Sequence, residues 1–386
     1  MNAPNPIAPI NGTVAPGFEP VREAFARNFA DSIELGAGVS VYVGGQPVVD
    51  LHGGWIDQQR TQPYGAEHLQ LVFSTTKGVA ATCLAILAGR GTLDYAEKVA
   101  VYWPEFAAAG KSDITVEQLI SHRAGLPTLD AKPTLADCLD WPTITKLLAE
   151  QAPMWEPGTA HGYHALTYGW LAGELVRRID GRNIGRFVQE ELSGPLGLDL
   201  WIGLPESHED RVAPLYAPPP IAPEMQALIA EVMGPETLGG RALSLNGAFS
   251  GEENISADTW NDRAVHAAEI PAANAITNAR SLAAMYAATL SMIPKDVRDR
   301  ASTTVSSGAD RCLIVETTFG MGYMTHGSFT PMAGPGSYGH AGAGGSLAFA
   351  SPAHDLGFAY VMNQMDGNLA GDLRASNLVE ATLGCL

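Results

Sequence analysis

A chain of 386 residues, 46% hydrophobic and 17% charged, can bury a large core and is too apolar to be disordered. Its 41 acidic against 23 basic residues leave a formal charge of −18, which repels a phosphate backbone, and no basic cluster denser than Arg177-Arg178 offsets it, so nucleic acid is not expected as a partner. There is no run of 18 apolar residues and no basic-then-apolar leader, so no membrane association or export is expected, and a reducing cytoplasm is the default for the scattered Cys83, Cys138, Cys312 and Cys385.

Met1–Ala15 is rich in Pro and Asn and reads as a loose arm. Phe18, Val21, Phe25 and Phe29 share one face of a helix over 18–29. Gly38–Val43 and Pro47–Trp55 read as strands joined by a Gly44-Gly45 hairpin turn. Leu71–Ala88 is apolar nearly all round, which predicts a buried helix stopped by Gly89 and Gly91. Further helices are expected over Ile114–Ile120, Thr143–Gln151 and Leu166–Ile179. Gly203–Pro271 lacks a sustained period and has Pro and Gly clusters; it reads as a loop-rich flap with one short helix at Met225–Met233. Leu282–Leu290 is helical, Gly345–Ala350 and Leu356–Met362 are strands, and Leu369–Leu383 closes the chain as a helix. One domain is expected, with 16–95 and 272–386 forming an α/β part and 96–271 a mainly helical part that carries the flap.

Three short motifs carry chemistry. Ser74-Thr75-Thr76-Lys77 is S-x-x-K, and residues i and i+3 share a helix face. A serine hydroxyl needs a base, and a lysine amine serves as one when burial lowers its pKa. An N-cap serine followed by a surface lysine is the ordinary alternative. The run after Lys77, uncharged until Arg90, favours a buried amine. Tyr163 follows the Pro/Gly turn Trp155-Glu156-Pro157-Gly158 at a loop-to-helix junction; a phenol there acts as a base if a neighbouring ammonium such as Lys77 lowers its pKa. Gly339-His340-Ala341-Gly342-Ala343-Gly344-Gly345 starts a strand whose free N–H groups can face an oxyanion.

In this order, and with Ile114–Pro127 between the first two, the motifs resemble the class C β-lactamase-like serine hydrolases, most of all their carboxylesterase branch, the family VIII esterases. The resemblance implies an α/β (α+β) fold, an antiparallel sheet flanked by helices with a helical subdomain. It makes Ser74 the acylated nucleophile, Lys77 its partner and Tyr163 the general base. It places the oxyanion hole at the backbone N–H groups of Ser74 and Ala343, and the substrate against His340, Ala341 and Gly342.

Two departures bear on substrate. Tyr163-His164-Ala165 stands where such β-lactamases have Tyr-x-Asn, and His340-Ala341-Gly342 stands where they have Lys-Thr-Gly. An amide, a cation and a hydroxyl that hold a β-lactam are gone, while the acylating groups remain. A less polar small-molecule ester fits better; Trp155, Tyr168, Trp170 and Trp201 suit an apolar acyl or alcohol pocket, with plain core packing the ordinary alternative for most of them. His161 and His164 lack a third ligand in any metal-binding pattern, so neither metal nor cofactor is expected. Carboxylesterase is the leading reading, ahead of acyl transfer, weak β-lactamase or peptidase activity, and a non-catalytic binding protein on the same scaffold. The sequence fixes no oligomeric state.

Overall fold

The computed structural model describes residues 7–220, 222–249, 257–367 and 370–386. Twelve strands are present among them: β1 (Ile10–Val14), β2 (Gly36–Val43), β3 (Gln46–Gly54), β4 (Gln70–Leu71), β5 (Leu200–Trp201), β6 (Ile276–Thr277), β7 (Ser306–Ala309), β8 (Glu316–Phe319), β9 (Met324–Thr325), β10 (Tyr338–Ala341), β11 (Leu347–Ser351) and β12 (Leu356–Met362). Nine form one antiparallel sheet in the order β1-β3-β2-β12-β11-β10-β9-β8-β7. Residues 10–54 thus supply one side and 306–362 the other, joined where Tyr360 faces Val39 across the β12–β2 pair. β4, β6 and β5 form a separate small sheet.

β11 and β12 are buried along their whole length, which is why they read as continuous apolar runs and not as alternations. The Ala279–Met292 helix packs across β2, β11 and β12. It lies so close that a Cβ on Gly357 would overlap the Ala283 carbonyl. Helix Thr76–Gly89 packs against Thr167–Asp180, and its buried residues run from Thr76 to Leu87 with little interruption. The Val116–Ile120 helix opens with a reciprocal cap between Thr115 and Gln118. The structure is an α/β fold with an antiparallel sheet and many helices, as the sequence suggests.

Several local expectations need correction. The N-terminal arm is not loose over its described part: Ile10–Val14 pairs with β3. Gly12 makes this possible, because any Cβ there would overlap the Asp50 carbonyl. The arm's first six residues lie outside the described residues. Leu71 belongs to β4, and the buried helix begins only at Thr76, after a 3-10 turn over Phe73–Thr75. The last helix is Leu373–Leu383, and Leu369, its expected start, lies outside the described residues. The β7–β9 meander was not legible, since its strands are two to four residues long. Among the described residues no helix is long and apolar enough to cross a membrane, and all four cysteines are unpaired.

Candidate active site

The chain leaves β4 and turns sharply at Phe73, whose φ of 43° lies in the left-handed region that a bulky residue avoids. Edge-on packing of its ring against Trp260, 5.1 Å away, helps hold that conformation. The turn sets Ser74 at the head of the Thr76–Gly89 helix, with Lys77 one turn further on.

Lys77 is fully buried, and its Nζ meets three oxygens: Ser74 Oγ at 2.9 Å, Ala165 O at 2.6 Å and Ala272 O at 3.0 Å. No carboxylate pairs with it among the described residues, so burial pushes its pKa well below the usual lysine value. A neutral amine fits these contacts. Two N–H groups satisfy the two carbonyls, and the contact with Ser74 Oγ runs from a third N–H when the amine is charged and from the hydroxyl when it is neutral.

Tyr163 is brought over from an irregular segment, and Lys77 Nζ lies 4.7 Å from its ring centroid. Burial raises the phenol's pKa, a hydrogen bond with Ser74 lowers it, and the charge of Asp310 raises it again. The net direction is up, which keeps the phenol protonated in the free site. The site therefore departs from the phenolate arrangement: the amine is the group whose pKa falls.

Ser74 and Ala343 line one cleft. Each sits in the first positions of a 3-10 turn, where a backbone N–H has no acceptor within the turn. A Cβ on Gly342 would overlap the Val72 carbonyl, so a glycine is needed for the strand to approach this closely. Ser346 fixes the approach by donating to Val72 O at 2.9 Å and bonding Thr75 Oγ1 at 3.0 Å. Behind the loop, the buried Arg374 donates to Gly344 O at 2.8 Å and is held by Asp372 at 2.7 Å and Glu34 at 3.1 Å. Burial pushes Glu34 up to about 7 against the pull of Arg374.

His340 and Ala341 lie on β10, buried, and do not line this cleft. His340 Nδ1–H donates to Ala341 O at 2.6 Å, and its ring centroid lies 6.0 Å from that of Tyr163. Burial, reinforced by Lys77, pushes its pKa down to about 3, so it is neutral near pH 7. His164 is also committed: Nδ1–H donates to Gly162 O at 2.7 Å, and Nε2 accepts from Leu126 N at 3.0 Å. No nitrogen of that ring is left for a metal.

The cleft wall is apolar, but its aromatics are not the expected ones. Tyr168 and Trp170 are core residues, Trp201 lies against His208, and Trp155 lies against Arg311. Phe73, Leu166, Leu243, Phe249, Trp260 and Ala273 line the cleft with Ala165. Phe249 stacks on Trp260 at 5.1 Å. Both come from the flap, where no periodicity marked them. Asp310 and His122, which touch the Tyr163 segment, were also missed as functional residues. Asp310 ends a strand too short to read, and His122 sits in a stretch that reads as structural.

The family model described as Beta-lactamase matches residues 25–383. The chain is 36% identical over 371 residues to Esterase/beta-lactamase LipL of Mycobacterium tuberculosis (strain ATCC 25618 / H37Rv), covering 92% of this chain and 83% of that protein. A crystal structure of a family VIII carboxylesterase superposes with a TM-score of 0.88 at 38% identity, covering 98% of this chain and all (100%) of that one. A penicillin-binding protein homolog from Caulobacter crescentus superposes with a TM-score of 0.85 at 38% identity, again over 98% and 100%.

Proposed function

The chain belongs to the β-lactamase family, and from that premise we propose that it is a carboxylesterase that cleaves small uncharged esters through an acyl-Ser74 intermediate. The observation that carries this reading is the 2.9 Å contact between Ser74 Oγ and a buried lysine amine that meets no carboxylate among the described residues. Lys77 takes the hydroxyl proton as Ser74 attacks the ester carbonyl. The N–H groups of Ser74 and Ala343 receive the developing oxyanion. The proton then passes, through the Tyr163 phenol, to the leaving alkoxide. Water enters by the same route in reverse, giving up a proton to the Lys77–Tyr163 pair as it attacks the acyl carbon, and Ser74 leaves with that proton.

Substrate class follows from the cleft. Ala165 offers no side-chain amide, burial holds the His340 pKa down at about 3, and no arginine or lysine is among the lining residues. A charged β-lactam would leave its carboxylate without a cation, whereas an aliphatic acyl or alkyl group is covered by Phe249 and Trp260. One relative carries both "esterase" and "beta-lactamase" in its name, which makes a cephalosporin the informative competitor. The test is a panel of p-nitrophenyl esters beside nitrocefin. The expected result is a kcat/KM for p-nitrophenyl butyrate at least about a hundredfold above that for nitrocefin, the order set by leaving a buried charge unpaired. Comparable values would overturn the ester reading.

A further inference from the structure

Tyr163 lies in a stretch, 160–164, with no helix or strand to hold it. Yet three consecutive backbone N–H groups there are all captured. Gly162 N donates to His122 O at 3.1 Å, Tyr163 N to Asp310 Oδ1 at 3.0 Å, and His164 N to His122 Nδ1 at 3.1 Å. The two clamping residues come from distant parts of the chain. His122 has a φ of 64°, a strained conformation for a side chain of its size. Asp310 caps the turn between β7 and β8. Its Oδ1 also accepts from Cys312 N at 2.8 Å and Leu313 N at 3.0 Å, and Thr317 Oγ1 donates to its Oδ2 at 3.0 Å. From β8 of the same hairpin, Phe319 stacks on the Tyr163 ring at 5.9 Å.

A buried carboxylate that meets no Lys or Arg is costly, and its cost is offset here by three backbone N–H groups and a hydroxyl. The turn itself needs only two of those donors, Cys312 and Leu313. The third is the backbone of Tyr163. We propose that Asp310 is a positioning residue for the esterase reaction: it anchors the Tyr163 backbone and so holds the phenol where it gives and takes its proton. The inference rests on the reading of Tyr163 as a member of the proton relay.

The groups that face Tyr163 are few. Lys77 lies under the ring, His122 and His340 beside it at 5.1 and 6.0 Å, and His164 and Tyr168 flank His122. His161 reaches Asp310 through Thr317, with its Nε2 3.9 Å from Oδ2. Burial depresses His122, His164 and His340, the latter two to about 3, so none of them titrates in the alkaline range. Among the described residues Asp310 is the acid whose charge acts on the phenol, and it raises the phenol's pKa. Removing that charge while keeping the acceptor must therefore lower it.

The deciding comparison is Asp310→Ala against Asp310→Asn in the full chain, read as kcat and KM for p-nitrophenyl butyrate. Asn keeps Oδ1 for the Tyr163 N–H, whereas Ala removes the anchor. Asp310→Ala should lower kcat at least about tenfold with KM within about twofold, below the full loss of acid–base catalysis, and Asp310→Asn should recover most of that loss. A folded Asp310→Ala with wild-type kcat, or a folded Asp310→Asn as slow as Asp310→Ala, overturns the proposal. If Asp310→Ala fails to fold, Asp310→Ser, too short to reach the Tyr163 N–H, takes its place with the same outcomes. Tyr163→Phe is run alongside. A wild-type rate in Tyr163→Phe removes the relay reading and this inference together, whereas a slow Tyr163→Phe with a wild-type rate in Asp310→Ala removes this inference only.

Discussion

At the scale of single residues, the relay turns on opposite shifts in two neighbouring groups. Burial lowers Lys77 and raises Tyr163, and both shifts favour the neutral forms of amine and phenol. The sign of the pH dependence follows. In the proposed reaction the active form carries the free amine, so kcat/KM rises with pH through an apparent pKa below that of an ordinary lysine, and the raised phenol adds no fall within the ordinary tyrosine range. That apparent value belongs to the coupled pair. His164 and His340 titrate near 3 and add no limb near neutrality. Lys77→Ala and Tyr163→Phe should each lower kcat about 10²–10⁴-fold, the usual loss for general acid–base catalysis. Because the two act on one proton, the double variant should be little slower than the slower single one. Losses that multiply in a steady-state comparison would mean two independent roles. Ser74, Lys77 and Tyr163 were legible in the sequence because each sits in a short motif with a chemical reason for its spacing. Asp310 and His122 were not, because their roles arise from backbone donors they meet only after folding.

At the scale of elements, the proposed reaction assigns the Thr76–Gly89 helix and the glycine-rich loop to the nucleophile and the flap to the substrate. Trp260 packs edge-on against Phe73, beside Ser74, and Phe249 stacks on Trp260, so in the proposed reaction the length of acyl chain the cleft accepts depends on flap residues. Each additional buried CH₂ is worth about 0.8 kcal/mol, or roughly fourfold in kcat/KM when there is room for it. Trp260→Ala makes that room. It should raise the kcat/KM ratio of p-nitrophenyl octanoate to butyrate at least about tenfold, measured on the same ester series; an unchanged ratio would place the acyl chain elsewhere. The flap's loop-rich character was legible from its Pro and Gly content, but its two aromatic side chains were not. They occur singly, with no period, and the aromatics that do surround the motifs in sequence turn inward to the core. The long elements were placed within a few residues from periodicity alone, as at Leu356–Met362. β1 and the β7–β9 meander carry too few apolar positions to signal a strand.

At the scale of the whole molecule, the fold brings together pieces more than 250 residues apart. Ser74 follows one edge of the small sheet, Tyr163 precedes a helix of the middle region, and Ala343 lies between β10 and β11 of the large sheet. Arg374, near the C-terminus, braces the loop that carries Ala343 against Glu34, near the N-terminus. Among the described residues Ser74 is the only serine whose hydroxyl meets a lysine amine. A serine-directed p-nitrophenyl phosphonate tests this directly. Intact-protein mass spectrometry followed by peptide mapping should show one phosphonyl group per chain, on Ser74, formed in step with the loss of esterase activity. Folded Ser74→Ala should gain none and hydrolyse no ester. Labelling at another residue, or a Ser74→Ala variant that keeps its turnover, would contradict the account.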